Sequence, residues 1–174
     1  KKVEDSVLWL LDDNKKTSTN LKNEANKNGI NPDRIIFAKR ISMEDHLARH
    51  KSADLFLDTY PFGSHTTSSD SLLVGLPVVT LVGQSFASNV AASQLNTINI
   101  PELITHTKEE YENLILDLAT DKNKLNQIKD KLIKNRLTTP LFDTKLYTKN
   151  IESAYIKIYE RHLNNLPIEN IEIN

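Results

Sequence analysis

The sequence predicts an α/β domain in which a parallel sheet is covered by helices on both faces. Short apolar, β-branched runs alternate with longer helical stretches over the first hundred residues. These runs are apolar throughout, which is typical of parallel strands that are buried on both sides. Because 174 residues without a low-complexity linker suit one core, we predict a single domain over residues 1–165 and a flexible tail at 166–174.

The strands and helices of the first part follow from local signals. Strands are predicted at Ser6–Leu11, Arg34–Phe37, Leu55–Thr59 and Pro77–Val82. Helices are predicted at about 17–28, 42–51, 66–75 and 85–96. Gly29 and Gly75 provide helix stops, and Ser42 with Asp45 is typical of a capping box.

Beyond Pro101 the character of the sequence changes. Amphipathic stretches at 107–120, 122–138 and 143–164 predict three further helices. The last of them carries an apolar stripe of Tyr147, Ile151, Tyr155, Ile158 and Tyr159. We interpret this stripe as a packing face in preference to a ligand site.

The composition excludes several classes of function. Lys and Arg number 22 against 23 Asp and Glu, so the net charge of −1 provides no basic surface for nucleic acid or anionic lipid. No run approaches the roughly 18 apolar residues of a membrane span, so no membrane partner is expected. Cysteine is absent. Five histidines without zinc spacing, and no Asp-x-Asp, Walker lysine or Gly-x-Gly-x-x-Gly pattern, predict no metal site and no dinucleotide cofactor.

A nearly uncharged segment contains the first candidate site. Between Asp58 and Glu102 the only Asp, Glu, Lys or Arg is Asp70. His65, Thr66, Thr67, Ser68 and Ser69 open a helix just after a strand, where free N–H groups attract anions. We therefore favour an anion site over a cap that satisfies only itself. For Asp70, helix capping and binding of ligand hydroxyls are equally open.

A second polar cluster follows the strand that ends at Phe37. It consists of Arg40, Ser42, His46, Arg49 and His50. The spacing places the histidine at 46 and the arginine at 49 on one helix face. This histidine could stack on an aromatic base, but taken alone it is better interpreted as a solvated surface residue. The loop at 83–89 also opens a helix and is expected to line a cleft.

Several collinear motifs then resemble one known family. They are Ser6–Leu11, Arg34–Phe37, Ala53–Thr59, the His-Thr-Thr-x-x-Asp run at 65–70, Gly75–Thr80, Ala87–Ser93, Pro101–Ile104, Glu110-Tyr111 and Pro140–Lys145. Together they are similar to the C-terminal half of the catalytic region of protein O-GlcNAc transferases, the family linked to tetratricopeptide repeats (TPR). The resemblance covers roughly residues 5 to 163.

The resemblance implies a Rossmann-like domain that forms the C-terminal half of a GT-B glycosyltransferase. The family transfers GlcNAc from UDP-GlcNAc to Ser or Thr hydroxyls with inversion and without a metal, so no cofactor besides the donor is implied. By resemblance, His65, Thr66 and Thr67 would hold the diphosphate, and Asp70 would hold the ribose hydroxyls.

The resemblance also assigns the second cluster to the nucleoside. His46 would stack on the uracil, Arg49 would lie beside the base, and backbone around Ile41, next to Ser42 and Met43, would contact its edge. Two positions depart from the family pattern. The methionine at 43 stands where relatives commonly carry Lys, and Asn89 replaces an Arg seen in many members.

The remaining implications concern the whole enzyme. Catalytic residues, including an essential lysine, are expected in an N-terminal part that precedes Lys1. The partners of this fragment would be that N-terminal half, the TPR repeats and a protein acceptor. The protein would be cytoplasmic. This fragment alone would be inactive. Two alternatives stay open: a catalytically degenerate nucleotide-binding or interaction module, or a transferase for O-fucose or an N-linked hexose.

Overall fold

The computed structural model describes residues 2–173 and confirms the α/β class. Its strands are β1 (Leu8–Leu11), β2 (Ile35–Ala38), β3 (Phe56–Leu57), β4 (Val78–Leu81) and β5 (Ile104–Thr105). Its helices are α1 (Lys15–Lys27), α2 (Met43–His50), α3 (Thr66–Val74), α4 (Val90–Thr97), α5 (Lys108–Thr120), α6 (Lys122–Asn135) and α7 (Thr144–Leu163). Short 3-10 turns lie at Pro32–Arg34, Phe86–Ser88, Pro101–Leu103 and Pro140–Phe142.

The predicted helix ends are mostly confirmed. Gly75 ends α3 with a φ of 89°, and Gly29 follows α1 with a φ of 66°, a conformation that glycine adopts without strain. The helix predicted at 85–96 begins later than expected. Ser85 and Ser88 cap each other around a 3-10 turn, so that α4 starts only at Val90.

All described strand pairs are parallel, but they form two separate groups. β1 pairs with β2, with Leu8 opposite Ile35. In the other group the order is β3-β4-β5, with Phe56 opposite Val78 and Thr80 opposite Ile104. The strand β5 was not predicted, because two residues after a proline turn are too few to show a periodicity.

The core lies around β4 and the helices that follow it. All four β4 residues are buried. The core cluster consists of Leu72, Val78, Val79, Ala91, Leu95, Ile98, Ile100, Leu103, Leu118, Leu125, Ile128 and Leu132. The expectation that strands are covered on both faces is therefore right for β4. The same expectation is wrong for β1. Leu8 and Leu11 are exposed and Trp9 is exposed by 37%, so residues 2–173 cover the apolar side chains of this strand only in part.

The predicted packing stripe on α7 is also wrong within residues 2–173. Tyr147, Tyr155, Ile158 and Tyr159 are exposed, and α7 has no buried residue. The reason is that the core ends near Phe142, after which α7 runs outside it. Arg161 in the last turn of α7 pairs with Glu169, whereas the flexibility of 166–174 stays a prediction. Among the described residues, no helix has the length and apolarity needed to cross a membrane.

Candidate functional site

Asp58 fixes the loop that leads from β3 to α3. This carboxylate is only 5% exposed, and it accepts hydrogen bonds from Ser64 N at 2.6 Å, Thr59 N at 3.0 Å and Thr80 Oγ1 at 2.7 Å. A buried carboxylate is stable only when its oxygens are paired in this way. Asp58 therefore sets where the first residues of α3 lie. The sequence analysis did not single it out for a role.

Two further contacts hold the same loop. Tyr111 Oη on α5 donates to the Asp58 carbonyl at 2.7 Å. Burial raises the pKa of Tyr111 to about 12, and the nearby negative charge of Asp58 adds to this rise. Gly63 N donates to Ala87 O at 3.0 Å. A Cβ at Gly63 would lie 3.0 Å from both Ala87 O and Asp58 Oδ2, so the close approach of the two loops requires glycine.

The first turn of α3 leaves its N–H groups available. His65 is the N-cap residue, and its side chain makes no capping hydrogen bond. Ser68 Oγ donates to the carbonyl oxygens of His65 and Ser64. This hydroxyl is therefore bonded to carbonyl groups and does not cap the N–H groups of the helix. Thr66 and Thr67 are exposed. The start of α3 therefore has no side-chain cap within the described residues, and it has the donors that an anion needs.

Three buried polar atoms beside this turn have no hydrogen-bond partner within residues 2–173. They are Ser64 Oγ, His65 Nε2 and Gln94 Oε1. Gln94 Nε2 donates to His65 O at 3.0 Å, which places all three residues together. The His65 ring stacks on Phe62 at 5.4 Å and meets Phe86 edge-on at 5.8 Å between centroids. Buried unsatisfied groups in native proteins are usually bonded to water or a ligand.

Asp70 lies in the middle of α3, so it is no N-cap. Its carboxylate is half-buried and makes no hydrogen bond or ion pair with another residue between 2 and 173. Burial, His50 and Arg49 lower the pKa of His46 on α2, and the negative charge of Asp70 opposes this lowering. The structure thus removes the capping interpretation and brings Asp70 near the second cluster.

The start of α2 is organised by Ser42. Ser42 Oγ accepts a hydrogen bond from Asp45 N at 3.2 Å, and it donates to Asp45 Oδ2 at 2.8 Å, which confirms Ser42 as the N-cap. Ile41 is exposed, and Met43 is exposed by 61%. Both apolar side chains lie beside the cluster with no cation at position 43.

His46 is held by Arg49 and is not a free surface residue. Arg49 donates to His46 Nδ1 from Nε at 3.1 Å and from Nη2 at 2.8 Å, and to Lys39 O from Nη1 at 2.8 Å. The guanidinium lies 5.6 Å from the centre of the Trp9 ring. Since Nδ1 accepts, a neutral His46 carries its proton on Nε2. Burial, His50 and Arg49 lower the pKa of His46 against the opposing effect of Asp70, which favours this neutral form.

We expect Arg49→Gln to raise the pKa of His46, because a nearby positive charge that disfavours imidazolium is removed. Exchange of the imidazole C2 hydrogen, followed by mass spectrometry across pH in the full-length protein, measures this pKa. Arg40→Gln is the matched control, since Arg40 lowers the same pKa least. An equal rise in both variants would contradict the assigned contact.

The loop at 83–89 adjoins the start of α3, since Phe86 meets the His65 ring edge-on, whereas its place in the lining of a cleft stays a prediction. Asn89 Nδ2 donates to Gly83 O at 3.0 Å and to Ser85 O at 2.6 Å, so its amide closes this loop. Phe86 is exposed by 81% beside His65. The side chain of Asn89 is thus used within the loop itself.

The structure therefore brings most predicted site residues to one side of the molecule, where α2 and α3 contact each other. Sequence analysis missed the supporting residues Asp58, Trp9 and Gln94. Only Asp58 had a signal, its place at a strand end. Among the described residues no group of three or more His, Asp or Glu could hold a metal ion.

Comparison with known proteins identifies the family. The family model described as glycosyl transferase family 41 matches residues 1–151. The chain belongs to glycosyl transferase family 41. This family 41 chain is 34% identical over 172 residues to the UDP-N-acetylglucosamine–peptide N-acetylglucosaminyltransferase of Caenorhabditis elegans, covering 99% of this chain and 15% of that protein. It is 36% identical over 163 residues to a probable enzyme of that name, SEC, of Arabidopsis thaliana, covering 93% and 17%.

A solved structure agrees with this assignment. A mutant of the Thermobaculum terrenum O-GlcNAc transferase superposes with a TM-score of 0.82 at 29% identity, covering 88% of the family 41 chain and 30% of the other. The chain spans less than a fifth of the length of the C. elegans and A. thaliana relatives. The fold class and the resemblance to O-GlcNAc transferases are confirmed by these matches.

Proposed function

We propose that this family 41 chain binds the donor in a protein O-GlcNAc transferase, and that the full-length protein transfers GlcNAc from UDP-GlcNAc to Ser or Thr hydroxyls. The names of the relatives support this chemistry. The observation that carries it is Asp70, which has no hydrogen-bond or ion-pair partner within residues 2–173. It lies on α3 beyond the anion-attracting start at His65, and α3 contacts α2, which carries the His46 cluster. This arrangement suits phosphate, ribose and base in turn.

The diphosphate would lie at the start of α3. Its charge would meet the free N–H groups of Thr66 and Thr67 and the unused ring nitrogen of His65. When the sugar leaves, negative charge grows on the diphosphate, and fixed N–H donors stabilise that charge without reorganisation. This charge stabilisation is the reason why the proposed transfer needs no metal, and inversion at the sugar carbon is a separate part of the proposal.

The uridine would lie against α2. Neutral His46, fixed by Arg49, offers a flat ring for stacking on the base, and Asp70 offers free acceptor oxygens to the ribose hydroxyls. Ile41, Ser42 and Met43 would border the base. Protein acceptors, catalytic residues and TPR repeats are assigned to the rest of the full-length protein, and we propose a cytoplasmic location.

Calorimetric titration of the full-length protein with UDP and with GDP tests the donor assignment. We expect UDP to bind at least roughly tenfold more tightly, because a uracil-sized site excludes the larger base. With radiolabelled UDP-GlcNAc and a Ser-containing peptide, label is expected on the peptide. Equal binding of the two nucleotides would overturn the donor assignment.

We expect His65→Ala to weaken UDP binding roughly tenfold while leaving uridine binding within twofold, because His65 is assigned to phosphate. Competition titrations against both ligands measure the two affinities. His162→Ala on α7 is the control, since it lies outside the site. Equal losses for UDP and uridine would contradict the phosphate role.

A second candidate function is a degenerate nucleotide-binding module. Met43 favours it, because this exposed thioether provides no cation beside the nucleotide. A module of this kind would bind UDP yet leave all label on the donor in the transfer assay. GDP-fucose and UDP-glucose should also be tested as donors. Asn89, whose amide closes the 83–89 loop, stands where the family resemblance implies an arginine in many members.

A further inference from the structure

Trp9 on β1 lies against the arginine that holds His46. The Arg49 guanidinium is over the indole ring, with its carbon Cζ 5.6 Å from the ring centroid. Trp9 lies opposite Ile36 in the register of the β1–β2 pair, so the sheet fixes its backbone. A guanidinium within about 6 Å of an aromatic face is attracted by the ring quadrupole, and an indole attracts it more strongly than a phenyl ring does.

Two further partners complete the surroundings of the Arg49 guanidinium. Nη1 donates to the Lys39 carbonyl oxygen, just beyond β2, at 2.8 Å. Nε and Nη2 donate to His46 Nδ1 at 3.1 and 2.8 Å. One side chain of α2 is thereby connected to β1 and to the end of β2. Because the acceptor at Lys39 is a backbone carbonyl, Trp9 is the partner of this guanidinium whose contribution depends on its side chain.

The orientation of the His46 ring depends on Arg49. Two donors converge on Nδ1, so the imidazole cannot rotate without losing both hydrogen bonds. These bonds form only while the guanidinium stays in one place, and an arginine side chain loses much rotamer entropy when it is held there. The contact with Trp9 offsets part of that entropy loss, because the indole belongs to a strand whose backbone is already fixed.

We propose that Trp9 is a positioning residue for the nucleoside end of the donor site, where its indole holds Arg49 in the place from which the guanidinium fixes the ring of His46. This inference rests on the proposed function, in which His46 stacks on the uracil. Trp9 is assigned no contact with the donor. Its effect passes through Arg49, and this distinguishes it from a residue that only stabilises the fold.

The pKa of His46, measured by exchange of the imidazole C2 hydrogen in the ligand-free full-length protein, tests the contact without a nucleotide. Besides burial and His50, Arg49 lowers this pKa. We therefore expect Trp9→Leu to raise it, because the released guanidinium moves away from the imidazole. The variant leaves unchanged the other charged groups that act on this ring, which are His50, Asp70 and Arg40. An unchanged pKa would show that Arg49 keeps its place without the indole, and the proposal would be wrong.

A double-mutant cycle separates this effect from a change in burial. A substitution that only let water reach His46 would raise the same pKa. In Arg49→Gln the guanidinium is already absent, so Trp9→Leu is expected to cause no further rise in that background. An equal rise in both backgrounds would overturn the proposal. Leu8→Ala is the matched control, since Leu8 lies on β1 with its side chain on the opposite face, and it is expected to leave the pKa unchanged.

Trp9→Phe is the conservative variant, because it keeps an aromatic face at the same position. A phenyl ring attracts a guanidinium less than an indole does, so the pKa of His46 should rise less than in Trp9→Leu. A rise equal to that of Trp9→Leu would show that the aromatic face does not hold Arg49. If Trp9→Leu does not fold, Trp9→Phe must raise the pKa in the original protein and leave it unchanged in Arg49→Gln, and any other result would contradict the proposal.

Competition titrations with UDP and uridine relate the contact to binding. Trp9→Leu is expected to weaken both ligands equally, by roughly threefold to tenfold, because His46 is assigned to the nucleoside end. A larger loss for UDP than for uridine, or no loss for either, would count against the positioning role. If the original protein binds neither ligand, the proposed donor function fails, whereas the pKa of His46 still decides whether Trp9 holds Arg49.

Discussion

Replacing Asp58 with alanine is expected to lower the free energy of unfolding by about 3 kcal/mol or more, because two backbone amides and the Thr80 hydroxyl would lose a charged acceptor in a buried place. The loop that positions His65 would loosen as well, so UDP affinity should fall with stability. Urea unfolding monitored by tryptophan fluorescence measures the first effect, and calorimetry at low temperature measures the second.

The matched control for this variant is Asp54→Ala. Asp54 is an exposed carboxylate, and its one ion pair within residues 2–173, to Lys129 at 3.0 Å, lies on the surface. Such pairs contribute about 1 kcal/mol or less. If Asp58→Ala proves as mild as Asp54→Ala, the carboxylate at 58 does not hold the loop, and the account of the α3 start is wrong.

Asp70→Asn is expected to weaken UDP binding by roughly tenfold to a hundredfold, since one charge-assisted hydrogen bond to a ribose hydroxyl is lost. The fold should not suffer. Asp70 has no partner within residues 2–173, and neutralising a half-buried unpaired carboxylate leaves stability unchanged or raises it. Calorimetry and the midpoint of thermal unfolding, measured together, separate the two effects.

Two results would count against a ribose-binding role for Asp70. A lowered unfolding midpoint in Asp70→Asn would identify a structural carboxylate. Unchanged UDP affinity, with 2′-deoxy-UDP and UDP binding equally well to the original protein, would place the ribose elsewhere. The second comparison needs no substitution and is therefore immune to changes in folding.

The class of fold was predictable because its signals are local. Apolar β-branched runs mark the strands, and Gly29 and Gly75 end helices through a left-handed conformation that needs no distant partner. β5 escaped detection because two residues carry no period. The exposure of β1 could not be foreseen, since coverage of a strand depends on chain that lies elsewhere in the fold.

The candidate site was predictable in part for the same reason. In the sequence, His65 and the hydroxyl residues that follow it indicate the start of a helix, as Ser42 does for α2. The contribution of Asp58 depends on partners such as Thr80, 22 residues away. The contribution of Trp9 depends on Arg49 of α2, the helix that follows the next strand. Such pairs exist only once the chain has folded, so local pattern did not reveal them.

The hydrogen bond from Tyr111 of α5 to the Asp58 carbonyl, at the end of β3, does not depend on pH near neutrality. With a pKa of about 12, the phenol of Tyr111 keeps its proton throughout the neutral range, so it donates to the Asp58 carbonyl in acid and in mild alkali alike. A change of pH near neutrality therefore leaves the hydrogen bond between Tyr111 and the end of β3 in place.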